Sequence, residues 1–178
     1  MHKYITGVQN LNRTLQEQIN PPSSSKREYP IGDGCFRVGD KVMAVRNNYE
    51  KSIFNGNQGR IVDIILAQED EDVDEDTILV SFDSLIVSYT RSELDELMLA
   101  YAATVHKAQG SEFSCCIVVL STQHWYMLQR NLLYTAVTRG KELVLLVGSR
   151  RAVARAIANN AVQDRYTGLA ARITDGTM

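Results

Sequence analysis

Val8, Leu11, Leu15 and Ile19 recur at helical spacing, which predicts an amphipathic helix that Pro21-Pro22 brings to a stop. The next stretch, residues 23–34, is rich in Ser, Pro and Gly and reads as a linker. From Arg37 the pattern turns to short β-type runs over residues 41–46, 60–66, 77–82 and 85–89. Asn55-Gly56-Asn57 separates the first two of these, and the Asn-Gly pair tolerates the positive φ of a tight turn. Several short strands without helices predict a small barrel or sandwich.

Beyond Leu97 the pattern changes again. Residues 98–103, 114–120 and 143–147 read as buried strands, and residues 127–137 and 151–157 read as helices. Apolar strands alternating with helices predict a mainly parallel sheet covered on both faces, an α/β layer. Gly148-Ser149 suits a strand-to-helix turn with Ser149 as N-cap. Residues 161–178 lose periodicity and read as a flexible tail.

Composition narrows the class. The 178 residues are 44% hydrophobic and 22% charged, which excludes wholesale disorder. A net charge of -2 excludes a uniformly basic nucleic-acid binder but leaves room for a local basic surface. Charge is indeed uneven: residues 69–76 are acidic except Val73, whereas residues 139–155 carry Arg139, Lys141, Arg150, Arg151 and Arg155 against Glu142 alone. The acidic run reads as a solvated loop tip rather than a metal site. There is no apolar run of membrane-spanning length and no signal-peptide core, so a soluble, cytoplasmic chain is expected, without membrane contact. The three cysteines, Cys35, Cys115 and Cys116, lack CxxC spacing. Neither a disulfide framework nor a metal centre is expected, and Cys115 and Cys116 read as small buried side chains.

An α/β layer invites a search for a nucleotide site. The phosphate-cradling GxxxxGK[ST] is absent, since Gly140-Lys141 is followed by Glu142 and Thr135 stands where the first glycine is needed. Two other segments are unusual. Residues 102–113 place polar side chains between two apolar runs, and residues 132–139 form an apolar stretch ending in Thr138-Arg139. Taken singly, Arg139 is a helix-end arginine and His106 a structural histidine.

Taken together the two segments say more. Ala103-Thr-Val-His-Lys-Ala-Gln-Gly-Ser-Glu-Phe113 closely resembles motif V of superfamily-one helicases, and Tyr134-Thr-Ala-Val-Thr-Arg139 with Gly140-Lys141 resembles their motif VI. The Ser111-Glu112-Phe113 ending resembles the RecD-like branch, the exodeoxyribonuclease V alpha-subunit type with 5′→3′ polarity. Gly7-Val8-Gln9-Asn10-Leu11-Asn12 with Leu15-Gln16 and Asn20-Pro21, and Gly39-Asp40-Lys41-Val42-Met43 with Asn47-Asn48-Tyr49 and Phe54-Asn55-Gly56, fit the same branch.

The resemblance implies a second RecA-like domain, residues 1–22 and 97–160, interrupted by an SH3-like barrel over residues 35–96. It also implies a C-terminal piece of a longer ATP-dependent DNA helicase, acting in repair and recombination. Such a piece is inactive alone, because the N-terminal P-loop domain that holds most of ATP and Mg is missing. By the same resemblance Arg139 supplies an arginine finger to the γ-phosphate. Gln109 and Gly110 lie near that phosphate, and Glu112 approaches the ribose. Thr104, His106 and Lys107 face single-stranded DNA. The isolated chain then carries no cofactor, and its expected partners are single-stranded DNA, the P-loop domain and RecB/RecC-like subunits. Tyr49 and Phe54 are candidates for base stacking, with packing beside the turn as the alternative. A rival reading is a nonenzymatic nucleic-acid- or protein-binding module of a larger DNA-repair assembly.

Overall fold

A computed structural model describes residues 6–68 and 74–160. The expected tail at 161–178 and most of the acidic run lie outside the described residues. Helix α1 spans Val8–Ile19. Strands β1 (Glu28–Ile31) and β2 (Gly34–Arg37) form an antiparallel hairpin. Strands β3 (Lys41–Ala44), β4 (Gln58–Ile65), β5 (Thr77–Phe82) and β6 (Leu85–Thr90) follow, then a 3-10 turn over Arg91–Glu96 and β7 (Leu97–Leu99). These five strands make one antiparallel sheet in the order β6-β5-β4-β3-β7.

The β-rich part carries the larger core, with Val42, Ile61, Ile64, Ile78, Val80 and Tyr89 all fully buried. In β5 burial alternates residue by residue, as one covered face requires. In β4 the buried positions are Ile61 and Ile64, three apart, because the register with β5 shifts between Ile61 and Asp63. The shift is a β-bulge that turns Val62 outward.

Two expectations are corrected here. Residues 23–34 are not all linker, since β1 lies within them. Tyr29 pairs with Phe36 across the hairpin, and both are buried in the core. Ser, Pro and Gly around β1 hide a strand that alternates only over Tyr29 and Ile31. Likewise residues 98–103 are not a strand of the parallel sheet. β7 covers only Leu97–Leu99 and pairs antiparallel with β3.

Helix α1 forms where its apolar spacing predicts it, but its most buried face is polar. Asn12, Gln16 and Asn20 lie one turn apart and are all buried, whereas Ile19 is exposed. The three amides converge on backbone and on Asp40, which is 0% exposed. Gln16 Nε2 donates to Asp40 Oδ2 at 2.5 Å and Asn20 Nδ2 to Oδ1 at 2.7 Å. The Arg37 backbone N–H donates to Oδ2 at 2.8 Å and the Tyr101 hydroxyl to Oδ1 at 2.9 Å. Burying a carboxylate is costly unless donors surround it, and four do so here. The buried Arg37 guanidinium adds bonds to Glu28 (2.5 Å), Glu17 (2.7 Å) and the Asn20 carbonyl (3.0 Å). α1 is thus keyed to the barrel by polar groups.

The second unit is β8 (Phe113–Leu120), a 3-10 segment (Thr122–Met127), α2 (Arg130–Val137), β9 (Gly140–Gly148) and α3 (Arg150–Ala158). β8 and β9 pair in parallel, with α2 as the crossover. Val118 and Leu120 pack with Ala136 of α2 and Ala152 and Ala156 of α3. Ser149 caps α3 as expected, its hydroxyl accepting from the Ala152 N–H at 3.1 Å.

Burial on both faces does not follow. Ile117, Val119, Leu143, Leu145, Leu146 and Val147 are exposed. Cys115 is exposed and Cys116 half-buried, contrary to the expectation of two buried thiols. Among the described residues this sheet has two strands, β8 and β9, and the outward side chains Cys115, Ile117 and Val119 line a groove shared with Val8, Leu11 and Leu15 of α1.

Candidate nucleotide and nucleic-acid site

Residues 104–111 form consecutive turns between β7 and β8. The Thr104 hydroxyl accepts from the Lys107 N–H at 3.2 Å, and the Thr104 carbonyl accepts from the Ala108 N–H at 3.0 Å. One Thr104 lone pair is therefore spent on the turn, while its O–H still has a hydrogen to donate. His106, Lys107, Gln109 and Gly110 are exposed. Gly110 has φ +85°, and a Cβ there would meet nothing within 4 Å. Its backbone conformation and its open surroundings both suit close approach of a ligand to the main chain.

Motif VI comes to meet this loop. Arg139 follows α2 and is half-buried. Its Nη1 donates to the Ser111 carbonyl at 3.1 Å, its Nε to the Thr135 carbonyl at 3.1 Å, and its Nη2 to the Thr138 hydroxyl at 3.4 Å. The Phe113 N–H donates to the Arg139 carbonyl at 2.8 Å. Those bonds leave one hydrogen on each terminal nitrogen of the guanidinium without a partner among the described residues. Beside it, Glu112 pairs with Lys141 at 2.9 Å. The Lys141 hydrogen bond and charge hold the exposed Glu112 carboxyl below the usual carboxylate range. Both motifs lie at the amino ends of the parallel strands, where Phe113 is in register with Gly140.

Of the residues singled out in the sequence, Thr104, His106 and Arg139 line one groove, walled also by Leu11 and Leu15 of α1. Gln109, Gly110, Glu112 and Lys107 lie outside that lining. Glu112 pairs with Lys141, which also lies outside that lining.

The barrel comes close to the same loop. Gly56, at φ +97°, occupies the predicted turn, and a Cβ there would come within 3.9 Å of the Lys107 carbonyl. The turn is knitted by asparagines: Asn47 Oδ1 accepts from the Asn55 N–H at 2.8 Å and Asn57 Oδ1 from the Phe54 N–H at 2.7 Å. Tyr49 and Phe54 meet edge-to-face, 6.0 Å between centroids, and are 76% and 48% exposed. They are surface rings and not core.

Sequence reasoning gave no role to Asp40, Asn12 or Tyr101. Yet Asn12 bonds both the N–H and the carbonyl of Ala102, at 2.8 and 2.9 Å, two residues before Thr104. The available signal was the spacing of Asn12, Gln16 and Asn20, one polar stripe on an otherwise amphipathic helix.

Comparison with known proteins bears on the whole arrangement. Residues 11–82 match the model of the ATP-dependent RecD-like DNA helicase SH3 domain, and residues 99–147 that of the UvrD-like helicase C-terminal domain. The chain is 38% identical over 173 residues to the ATP-dependent RecD2 DNA helicase of Deinococcus radiodurans, covering 97% of this chain and 22% of that protein. It is 30% identical over 167 residues to the RecBCD enzyme subunit RecD of Mycolicibacterium smegmatis, covering 94% and 27%. It therefore spans roughly a quarter of the length of these curated relatives. Among solved structures, a Bacteroides Pif1 helicase in complex with ADP-AlF3 and ssDNA superposes with a TM-score of 0.54 at 19% identity, over 95% of this chain and 43% of that one. That likeness shows the fold, a RecA-like domain carrying an SH3 insertion. With two helicase family models along its length, the chain belongs to the RecD-like branch of the superfamily-one DNA helicases, as a C-terminal region.

Proposed function

We propose that this chain forms one wall of the ATP site of a 5′→3′ DNA helicase and part of its single-stranded DNA track. The observation that carries this is the bond from Arg139 to the Ser111 carbonyl, which ties motif VI to motif V. A guanidinium anchored at all three nitrogens, by two carbonyls and the Thr138 hydroxyl, is held in place with one N–H left on each terminal nitrogen. Phosphoryl transfer spreads negative charge over equatorial oxygens, and such a pair of N–H groups stabilises that charge bidentately. Arg139 is then the catalytic arginine finger, with ATP and its Mg held by a P-loop domain. Gln109 and Gly110 approach the γ-phosphate through the open main chain at Gly110, and Glu112 approaches the ribose.

Thr104, His106 and Lys107 take the DNA backbone, whose phosphates accept from hydroxyl, imidazole and ammonium groups. The loop from 104 to 112 thereby touches both ligands, so closure on nucleotide is transmitted to the strand. RecB/RecC-like subunits are further partners under this reading.

The sequence holds no P-loop, so the chain alone should not turn over ATP. Phosphate release is measured for the chain, and for the longer protein that carries it, with saturating single-stranded DNA. Turnover by the longer protein only is the expected result. Turnover that stays with the purified chain overturns the division of labour proposed here.

A further inference from the structure

The opposite end of the parallel pair carries chemistry that the site above does not use. At the carboxyl ends of β8 and β9 lie the 3-10 segment and the start of α3. With strands rising ~3.3 Å per residue, this end is on the order of 20 Å from Arg139. The Trp125 ring is flanked by two guanidiniums, with the Arg151 Cζ 5.4 Å and the Arg155 Cζ 5.0 Å from its centroid. Arg150 adjoins them, and Tyr126 beside Trp125 is 87% exposed.

Arg155 lies in the last turn of α3, where the helix dipole favours a cation, but Arg150 and Arg151 have no such support. No carboxylate pairs with Arg150, Arg151 or Arg155 among the described residues, and the Arg155 Nε is buried without a hydrogen-bond partner. Arg150 and Arg151 occupy the first turn of α3, which has no acidic residue there. Cations at that end oppose the helix dipole and cost stability. Between Phe113 and Asn160 the only carboxylate is Glu142, near the other end of β9. The result is a positive surface that carries the open Tyr126 ring and the half-buried Trp125 ring, which also packs on the second core.

We propose that the Trp125, Tyr126, Arg150, Arg151 and Arg155 surface is a second nucleic-acid contact, binding a single strand by its phosphates and stacking its bases. Arginines carry the backbone contacts, and planar side chains carry sequence-independent stacking. An acidic peptide would use the arginines but has no need of an open tyrosine face. The choice of DNA rests on the helicase reading, whereas the position of the surface does not.

Trp125 is the single tryptophan of the chain, so its emission reports this surface alone. The chain is titrated with an end-labelled oligothymidylate, following anisotropy for total binding and Trp125 emission for local binding. A saturable change in Trp125 emission is expected, with affinity falling as salt rises. The exposed pair Arg150→Glu and Arg151→Glu should weaken that response roughly tenfold, with far-UV circular dichroism unchanged. Arg155→Lys, which keeps the charge, should weaken it less.

Rising anisotropy with constant Trp125 emission, unaffected by the Glu variants, overturns the proposal and leaves the motif V site standing. A Trp125 response that survives Thr104→Ala with His106→Ala, while total binding is unaltered, supports this surface and counts against motif V. An equal response to polyglutamate overturns nucleic acid as the ligand.

Discussion

The Tyr101 hydroxyl donates to Asp40 Oδ1 at 2.9 Å across 61 residues of chain. This bond ties the turn before β3 to the segment that enters motif V. The same carboxylate takes Gln16 and Asn20 from α1, so one buried side chain joins helix, barrel and the segment that leads to Thr104. Asp40→Asn keeps the volume but replaces an acceptor with an amide N–H that faces donors. A loss of about 3 kcal/mol is expected, and about 2 kcal/mol for Tyr101→Phe, both read from urea unfolding by circular dichroism.

The same tyrosine sets an alkaline limit. Burial, together with the Asp40 bond, pushes Tyr101 up to about 12, and burial with Glu96 and Glu93 nearby does the same for Tyr89. A phenol whose folded pKa is raised stabilises the fold below its ordinary value near 10, and the benefit is lost as pH climbs towards 12. The midpoint of urea unfolding should hold to about pH 10 and fall steeply above it. In Tyr101→Phe that fall should be shallower.

The thiols should react in a fixed order. Cys115 is exposed on β8, whereas Cys116 is half-buried and burial raises its pKa. Cys35 is also half-buried and is raised by burial first. Limited iodoacetamide at mildly alkaline pH should therefore alkylate Cys115 before the other two, as read by peptide mass spectrometry.

Much of this architecture is legible in the sequence. The α1 spacing, the Asn55-Gly56 turn, β5, and the Ser149 cap are local signals, and each comes out where periodicity or turn chemistry puts it. The failures are non-local. β1 is strand-like only because Tyr29 finds Phe36, and β7 pairs with β3, distant in sequence. The apolar runs of β8 and β9 predict full burial, which depends on how many neighbouring strands there are, a number that no single run encodes. At the candidate site, motif order points to Arg139 and the 104–112 loop, but the bond between Arg139 and Ser111 is visible only in three dimensions.

In a helicase that joins this region to a P-loop domain, Arg139→Ala should leave ATP binding nearly intact and lower kcat by roughly 10³ or more. Arg139→Lys should recover little, because an ammonium cannot reproduce the planar fork. Steady-state phosphate release and nucleotide titration separate the two effects. A kcat near that of the unaltered protein would reduce Arg139 to a cap on the Thr135 and Ser111 carbonyls.

Thr104→Ala with His106→Ala should weaken single-stranded DNA binding by the chain a few-fold, at ~1 kcal/mol per net hydrogen bond lost. Fluorescence anisotropy at low salt measures it. In the longer protein the same pair should depress DNA-stimulated ATPase more than basal ATPase.

The clasp between Asn12 and Ala102 joins residues 90 apart in sequence. Closing a flexible loop of that length costs about 4 kcal/mol in entropy, about twice what two amide hydrogen bonds return. The intervening barrel removes most of that cost by folding as a unit, since the β3–β7 pairing brings Leu99 back beside Val42. The expected order is that the barrel condenses before α1 docks beside Ala102, which φ-values in the barrel and in α1 would test. A lesion deep in the barrel, at Ile64 or Val80, should accordingly reach the segment before Thr104 as slow maturation as well as lost stability.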